Sequence, residues 1–324
     1  MTLIASRGSC VAVIGAVLLA GCTNLPVVAT TPEPLFDTVT RFETTIPTAN
    51  GAEDAADIYY PGASEAVSLP LALLLPGGLV DKAEYSDFAS MVAGYGFVVV
   101  VPNRFRSVPN PVSGEDFSGL IAQVEQVNDV LNYVEAENAR PESPLRDRVD
   151  VSQLGLLGHS WGGAVGLAAI QNLCLPLLCT ESFERPKALK AGVFYGTTFR
   201  DQSQEEVVIL PVANQGIPIG LIAGDRDGVV RGAMDAVAQT YENIQDPPKA
   251  LITLRGANHY SITNEDSNRD RVRSTLDQEV ATETIARWSG LFLRAHLLED
   301  SEAWNYIYQS GDRLDPNVDV ESIP

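Results

Sequence analysis

The chain is poor in the side chains that build metal and phosphate sites. Its 324 residues include three histidines, four cysteines, three methionines and three tryptophans. These form no ligand cluster, so no metal and no organic cofactor is implied. Lysine is also scarce: Lys82, Lys187, Lys190 and Lys249 are the only ones, and the other basic residues are arginines. The formal charge is −20 and the pI is near 4.4. No basic patch is left to displace counterions from phosphates, which argues against nucleic acid as a partner. An acidic, lysine-poor surface fits a salty or exterior setting. Apolar residues are not lacking: at 45% they suffice for a sizeable core.

At the amino end, Arg7 is the only charge before the apolar run Cys10–Leu19, which leads into Ala20, Gly21 and Cys22. A lightly basic start, a short apolar run and small residues read as an export signal, too short to span a bilayer permanently. The stretch LLAGC closely resembles a bacterial lipobox. That resemblance implies cleavage after residue 21, a diacylglycerol on the Cys22 sulfur, and anchoring to a membrane on its periplasmic or cell-surface side. Residues 22–34, polar and proline-bearing, then serve as a tether. Cys10 leaves with the signal and the lipid occupies Cys22. Only Cys174 and Cys179 remain, as a disulfide closing a small loop or as two buried thiols.

Past the tether, no repeat or low-complexity linker divides the chain. Strand character at 36–46 and 56–60 precedes the run Leu71–Leu75, which suits a strand buried on both faces. Helical spacing with a glycine stop follows over 83–96, then the β-branched run 97–102. Ser113 is placed to cap a long helix in which Leu120, Val124, Val127, Leu131 and Val134 recur every three or four residues. Further strands are expected at 154–157, 191–195, 219–223 and 250–254, with helices near 162–173, 231–244 and 279–298. Strands alternating with helices predict one α/β domain over residues 35–300, its mostly parallel sheet covered on both faces. Residues 301–324 read as an acidic tail, docked through Trp304, Tyr306 and Tyr308 and then frayed.

The chemistry concentrates around Gly158-His159-Ser160-Trp161-Gly162, directly after an apolar run and before a small-residue helix. A nucleophilic Ser160 must stand clear of the sheet edge on a tight strand-to-helix turn, and glycines two residues either side give that clearance. The helix start aims its unpaired N–H groups at a developing oxyanion. His159 is the variable residue of the turn and His296 falls in the last helix, as a surface or packing residue. His259, just past the 250–254 strand, is therefore the candidate general base. The orienting acid is expected between them, where Asp225 and Asp227 follow the 219–223 strand; Glu205 and Glu206 are runners-up. Oxyanion donors are expected at Trp161 N–H and in the Pro76–Asp81 loop, at Gly78 with Leu79 as the alternative.

With these segments in place, the chain from about residue 50 to 300 resembles the α/β-hydrolase superfamily. The spacing is similar to the branch that holds cutinases, polyester hydrolases, chlorophyllases and platelet-activating-factor acetylhydrolases. The segments that carry this are DIYYP, LLLPGG, AGYGFVVVVPNR, GHSWGGAVGLAA, GDRDGVV and GANHYSIT. The resemblance implies Ser160 as nucleophile, Asp227 rather than Asp225 as acid, His259 as base, and Gly78 and Trp161 as oxyanion donors. Its expectation is a serine esterase acting on small-molecule or lipid-like carboxylic esters, with at most small cap insertions after Cys174 and over 196–218. The same triad would serve an amidase, peptidase or thioesterase, and the fold also suits a non-catalytic binding lipoprotein.

Overall fold

Chain order gives β1 (Val39–Pro47), β2 (Glu53–Pro61), β3 (Leu69–Leu75), α1 (Ser86–Gly94), β4 (Val98–Asn103), β5 (Phe105–Pro109), β6 (Asp116–Leu120) and α2 (Gln126–Ala139). It continues with β7 (Val149–His159), α3 (Trp161–Ile170), β8 (Leu189–Tyr195), β9 (Ile219–Gly224), α4 (Ala233–Glu242), β10 (Lys249–Leu254), α5 (Gln278–Leu297) and β11 (Val318–Ile323). This is a computed structural model, and it describes residues 30–62, 68–109, 116–180, 182–201, 208–229 and 232–324. Cys22 and the rest of the expected signal lie outside the described residues, as do Glu205 and Glu206.

Among the described residues, nine strands form one sheet in the order β1-β2-β4-β3-β7-β8-β9-β10-β11. The pairs from β4 through β10 are parallel, and β1, β2 and β11 join antiparallel at the edges. Burial on both faces explains why the inner strands read as unbroken apolar runs: all seven residues of β3 and all six of β9 are buried. In β3, Leu71, Leu73 and Leu75 pack with Val127 of α2 and Val165 of α3. Ala72 and Leu74 face the other way, toward Phe88 of α1 and Ile285 and Phe292 of α5. Truncating one of these leucines to alanine would cost about 2–5 kcal/mol. Altogether this is the α/β-hydrolase fold.

The chain leaves β3 toward β4 on one side, whereas β7 leads to β8 on the other. Such a reversal opens a crevice beyond the carboxyl ends of β3 and β7. The Pro76–Asp81 loop and Ser160 both follow those ends.

Two expectations need correction. The long helix from Ser113 is shorter: α2 begins at Gln126, and Leu120 ends the strand β6. Ser113 itself lies outside the described residues. Prolines 109 and 111 and Gly119 oppose a helix there. A buried ion cluster also closes the base of the β5–β6 hairpin. Arg104 donates to Asp54 Oδ2 at 2.9 Å and Asp129 Oδ2 at 2.6 Å, and its carbonyl accepts the Ile121 N–H at 2.8 Å.

The carboxyl-terminal residues, expected to fray, instead end as β11 paired along the whole of β10. Val318, Val320 and Glu321 supply the alternation that an edge strand needs, with Val318 buried and Glu321 exposed. Before it, Tyr306 packs on Trp288 with ring centroids 4.7 Å apart. Tyr308 accepts or donates a 2.8 Å bond at His296 Nε2, which makes His296 a packing residue, with its pKa lowered to about 4 by burial.

Candidate active site

Ser160 links β7 to α3 with φ +52° and ψ −116°, a positive-φ conformation that costs a non-glycine residue roughly 1–3 kcal/mol. The surroundings hold it there. Its N–H donates to Tyr195 O at 2.9 Å, and its carbonyl accepts Gly163 N–H at 3.0 Å and Thr197 Oγ1 at 2.8 Å. The flanking glycines are steric requirements. A Cβ on Gly162 would lie 2.0 Å from the Leu75 carbonyl oxygen, and one on Gly158 would lie 2.8 Å from Gly162 O. The helix start thus rests directly on the end of β3 and on the strand that feeds it.

His259 follows β10 and Asp227 follows β9, neighbouring parallel strands. His259 Nδ1 and Asp227 Oδ2 are 2.6 Å apart, with side chains only 2% and 3% exposed. A carboxylate accepts only, so Nδ1 carries the proton and Nε2 is left as a base. The pair lies over Gly196 at the end of β8, where a Cβ would come within 3.1 Å of His259 Nδ1 and 3.5 Å of Asp227 Oδ2. β8 in turn pairs with β7, Tyr195 opposite His159, which sets the pair one strand away from the Ser160 turn. Asp225 goes elsewhere: its Oδ1 accepts the Gly256 N–H at 2.7 Å.

On the other side of Ser160, Val80 N–H donates to Gly77 O at 3.1 Å, and Leu79 has φ +62°. An i to i+3 bond with positive φ at the third position, and not at Gly78, marks a type II turn. Gly78 sits against Trp161, where a Cβ on the glycine would be 3.7 Å from Trp161 Cβ. Leu79, the alternative donor, gives its N–H to Leu120 O at 2.8 Å. Among the described residues neither Gly78 N–H nor Trp161 N–H meets a protein acceptor. Trp161 is fixed by its indole N–H, which donates to Ala122 O at 2.9 Å.

Several residues around this site carried no signal in the sequence. His159, read only as the variable position of the turn, is fully buried. Its Nε2 faces the His259 carbonyl at 2.9 Å, and its Nδ1 faces the Tyr85 hydroxyl at 2.8 Å. A carbonyl cannot donate, so Nε2 carries the proton and Tyr85 donates to Nδ1. The same hydroxyl accepts the Gly77 N–H at 2.9 Å. Burial, with His259 beside it, pushes the His159 pKa well below the ordinary histidine value and keeps the ring neutral.

Asp270 is likewise buried. Its Oδ2 accepts the N–H of His259 at 3.0 Å and of Gly228 at 3.3 Å, and Oδ1 accepts that of Val272 at 2.8 Å. Tyr85 sits in helical spacing and Asp270 in a polar run, so only their long-range partners reveal them.

Cys174 and Cys179 form a disulfide with Cα atoms 5.1 Å apart. The loop they close packs by Leu178 O on Val124 N–H at 3.0 Å. Among the described residues no three His, Cys, Asp or Glu side chains are grouped to hold a metal, and no helix is long and apolar enough to cross a membrane.

A family model described as PET hydrolase-like matches residues 30–175, from the chain before β1 to just past α3. Cutinase 1 of Thermobifida cellulosilytica is 29% identical over 204 residues, 63% of this chain and 64% of that protein. The cutinase of Thermobifida fusca (strain YX) is 29% identical over the same length, which is 56% of its own. Cutinase est2 of Thermobifida alba is 24% identical over 210 residues, 64% of this chain and 58% of that one. The chain thus spans a little under two thirds of the length of these relatives. With its sheet order and its strand–serine–helix turn, the chain has the α/β-hydrolase fold and is similar to the cutinases and to PET hydrolase-like proteins.

Proposed function

We propose that the chain is an exported, lipid-anchored serine esterase. The reading rests on one observation above the others. A buried imidazole–carboxylate pair at 2.6 Å stands at the same sheet edge as a serine held at φ +52°. A structural turn has no need to maintain both.

In this reading His259 Nε2 takes the proton of Ser160 Oγ as the oxygen attacks the ester carbonyl. The tetrahedral oxyanion receives the Gly78 and Trp161 N–H groups, and Asp227 holds the ring and stabilises the imidazolium. The intermediate collapses, His259 gives its proton to the departing alkoxide, and the alcohol leaves an acyl-serine. Water, deprotonated by His259, attacks the acyl carbon; the acid departs and Ser160 regains its proton. Preorganised N–H donors of this kind are worth about 10²–10³ in kcat each.

The similarity to cutinases favours polyesters or lipid-like esters as the substrate class. Ser160 and Trp161 are both partly exposed, which suits chains too bulky to be enclosed. Cys22 would carry the anchor, leaving the enzyme outside the cytoplasmic membrane.

A fluorophosphonate should label Ser160, and p-nitrophenyl esters of rising chain length should be cleaved by the wild type and not by Ser160→Ala. Ester cleavage surviving in Ser160→Ala, or no labelling, would overturn the proposal. Matched amide and thioester substrates in the same assay separate an esterase from its relatives in mechanism. Loss of membrane association in Cys22→Ser tests the anchor independently.

A further inference from the structure

Arg269 lies ten residues past His259, in an exposed run, yet its guanidinium makes two bonds to the oxyanion loop. Nη2 donates to Gly78 O at 2.8 Å and Nη1 to Leu79 O at 3.0 Å. The guanidinium also stacks over the Tyr260 ring, 5.4 Å from its centroid, next to His259 in the chain. A planar fork on two successive carbonyls fixes orientation as well as position, which an ammonium cannot do.

What it holds is a turn that prefers another shape. A type II turn wants glycine at its third position, and here that position is Leu79 at φ +62°. The alternative, type I, is reached by rotating the central peptide between residues 78 and 79 through about 180°. Both ends of that peptide are tied in the observed state: the Leu79 N–H to Leu120 O, and the Gly78 carbonyl to Arg269. The Gly78 amide shares its Cα with that peptide, so release of the turn loosens the aim of the donor. The neighbouring Asp270 ties the His259 and Gly228 amides, so two consecutive residues brace the two halves of the site.

Resting on the esterase reading, we propose that Arg269 is a positioning residue for the oxyanion hole: it holds the Gly77–Val80 turn in the strained form that aims the Gly78 N–H at the substrate oxygen. It touches neither substrate nor the reacting atoms, and its effect passes through the turn.

The test is a double-mutant cycle read by steady-state kinetics on a soluble p-nitrophenyl ester. Arg269→Gln should lower kcat by about tenfold or more, with KM changed by less than about threefold and the pH profile unmoved. Arg269→Lys should fall between the two, because it keeps the charge and loses the fork. Leu79→Gly makes the observed turn the preferred one, so adding Arg269→Gln to it should cost no more than about twofold. Leu79→Asn replaces it where the glycine variant fails to fold, since asparagine also tolerates this conformation. A merely structural arginine would give the same loss in both backgrounds. That equality, or a kcat in Arg269→Gln within about twofold of wild type, overturns the proposal. Fluorophosphonate labelling separates the levels of failure: no label on wild-type Ser160 removes the esterase reading and this inference together. Normal labelling with no effect of Arg269→Gln removes this inference alone.

Discussion

The two flanks of Ser160 are built by opposite means. On the imidazole side, His259 and Asp227 are almost fully buried, and the backbone around them is tied by a second buried carboxylate, Asp270. On the oxyanion side, a two-residue turn carries an exposed leucine in a left-handed conformation, held by one hairpin carbonyl and one exposed arginine. The first flank gains its geometry from burial, which excludes alternatives by packing. The second gains it from strain that a few outside contacts hold in place. Burial protects a geometry against single substitutions at the surface. Strain leaves it dependent on them.

The largest effect that tests this contrast is on the buried flank. Asp227→Asn should keep the fold and lower kcat by about 10³–10⁴, because the wrong imidazole tautomer is then favoured. Ester turnover beside an unchanged circular dichroism spectrum measures it. A loss below tenfold would show that the buried pair is not what activates Ser160.

Asp270→Asn should act on the same flank by a different route. It weakens acceptance of three backbone N–H groups, at a cost of about 1–3 kcal/mol in stability, together with a fall in kcat. Urea unfolding and turnover measured on one preparation should move together. A stability loss without a kinetic one would confine Asp270 to folding.

Tyr85→Phe probes the junction of the two flanks, where one hydroxyl joins the Gly77 amide to His159. About 1–2 kcal/mol of stability should go, with a smaller kinetic effect than Asp227→Asn. An increase in kcat would show that the junction restrains the site instead of shaping it.

The smallest effect on turnover is expected of a control outside both flanks. The His296 pKa is lowered from 6.5 to about 4 by burial, so the unfolded chain binds the proton first. Stability from this group is complete above the unfolded value and is lost as the pH falls from about 6.5 toward 4, to a limit of about 3 kcal/mol. His159, lowered in the same direction, adds to the same slope. His296→Gln should flatten the decline in the urea midpoint between pH 7 and 4.5 without changing kcat at neutral pH.

The same contrast decides what could be read from the sequence. The elbow was legible because its glycines answer to local contacts, Gly162 against Leu75 O above all. The inner strands were legible because two-sided burial leaves no polar position in 69–75 or 219–224. Asp227 and His259 were expected past the 219–223 and 250–254 strands, and the fold makes those strands neighbours and sets the two side chains in contact. The β5–β6 hairpin was not legible. Apolar residues at 120, 124, 127 and 131 mimic a helix, and the decisive term is the Arg104 cluster with Asp54 and Asp129, drawn from distant segments. Tyr85, His159, Arg269 and Asp270 were invisible for the same reason. Each gains its meaning from a partner tens of residues away or more: Tyr85 from His159, His159 from His259, Arg269 from Gly78 and Asp270 from Gly228.

The pairing of Val318–Ile323 along β10 makes the cover of that strand depend on residues more than sixty positions further along the chain. Deleting those six residues would strip hydrogen-bond partners from the strand that delivers His259 and bare a continuous ladder of amides and carbonyls. A second copy could then pair its own bared edge there, and the truncated chain would turn toward self-association.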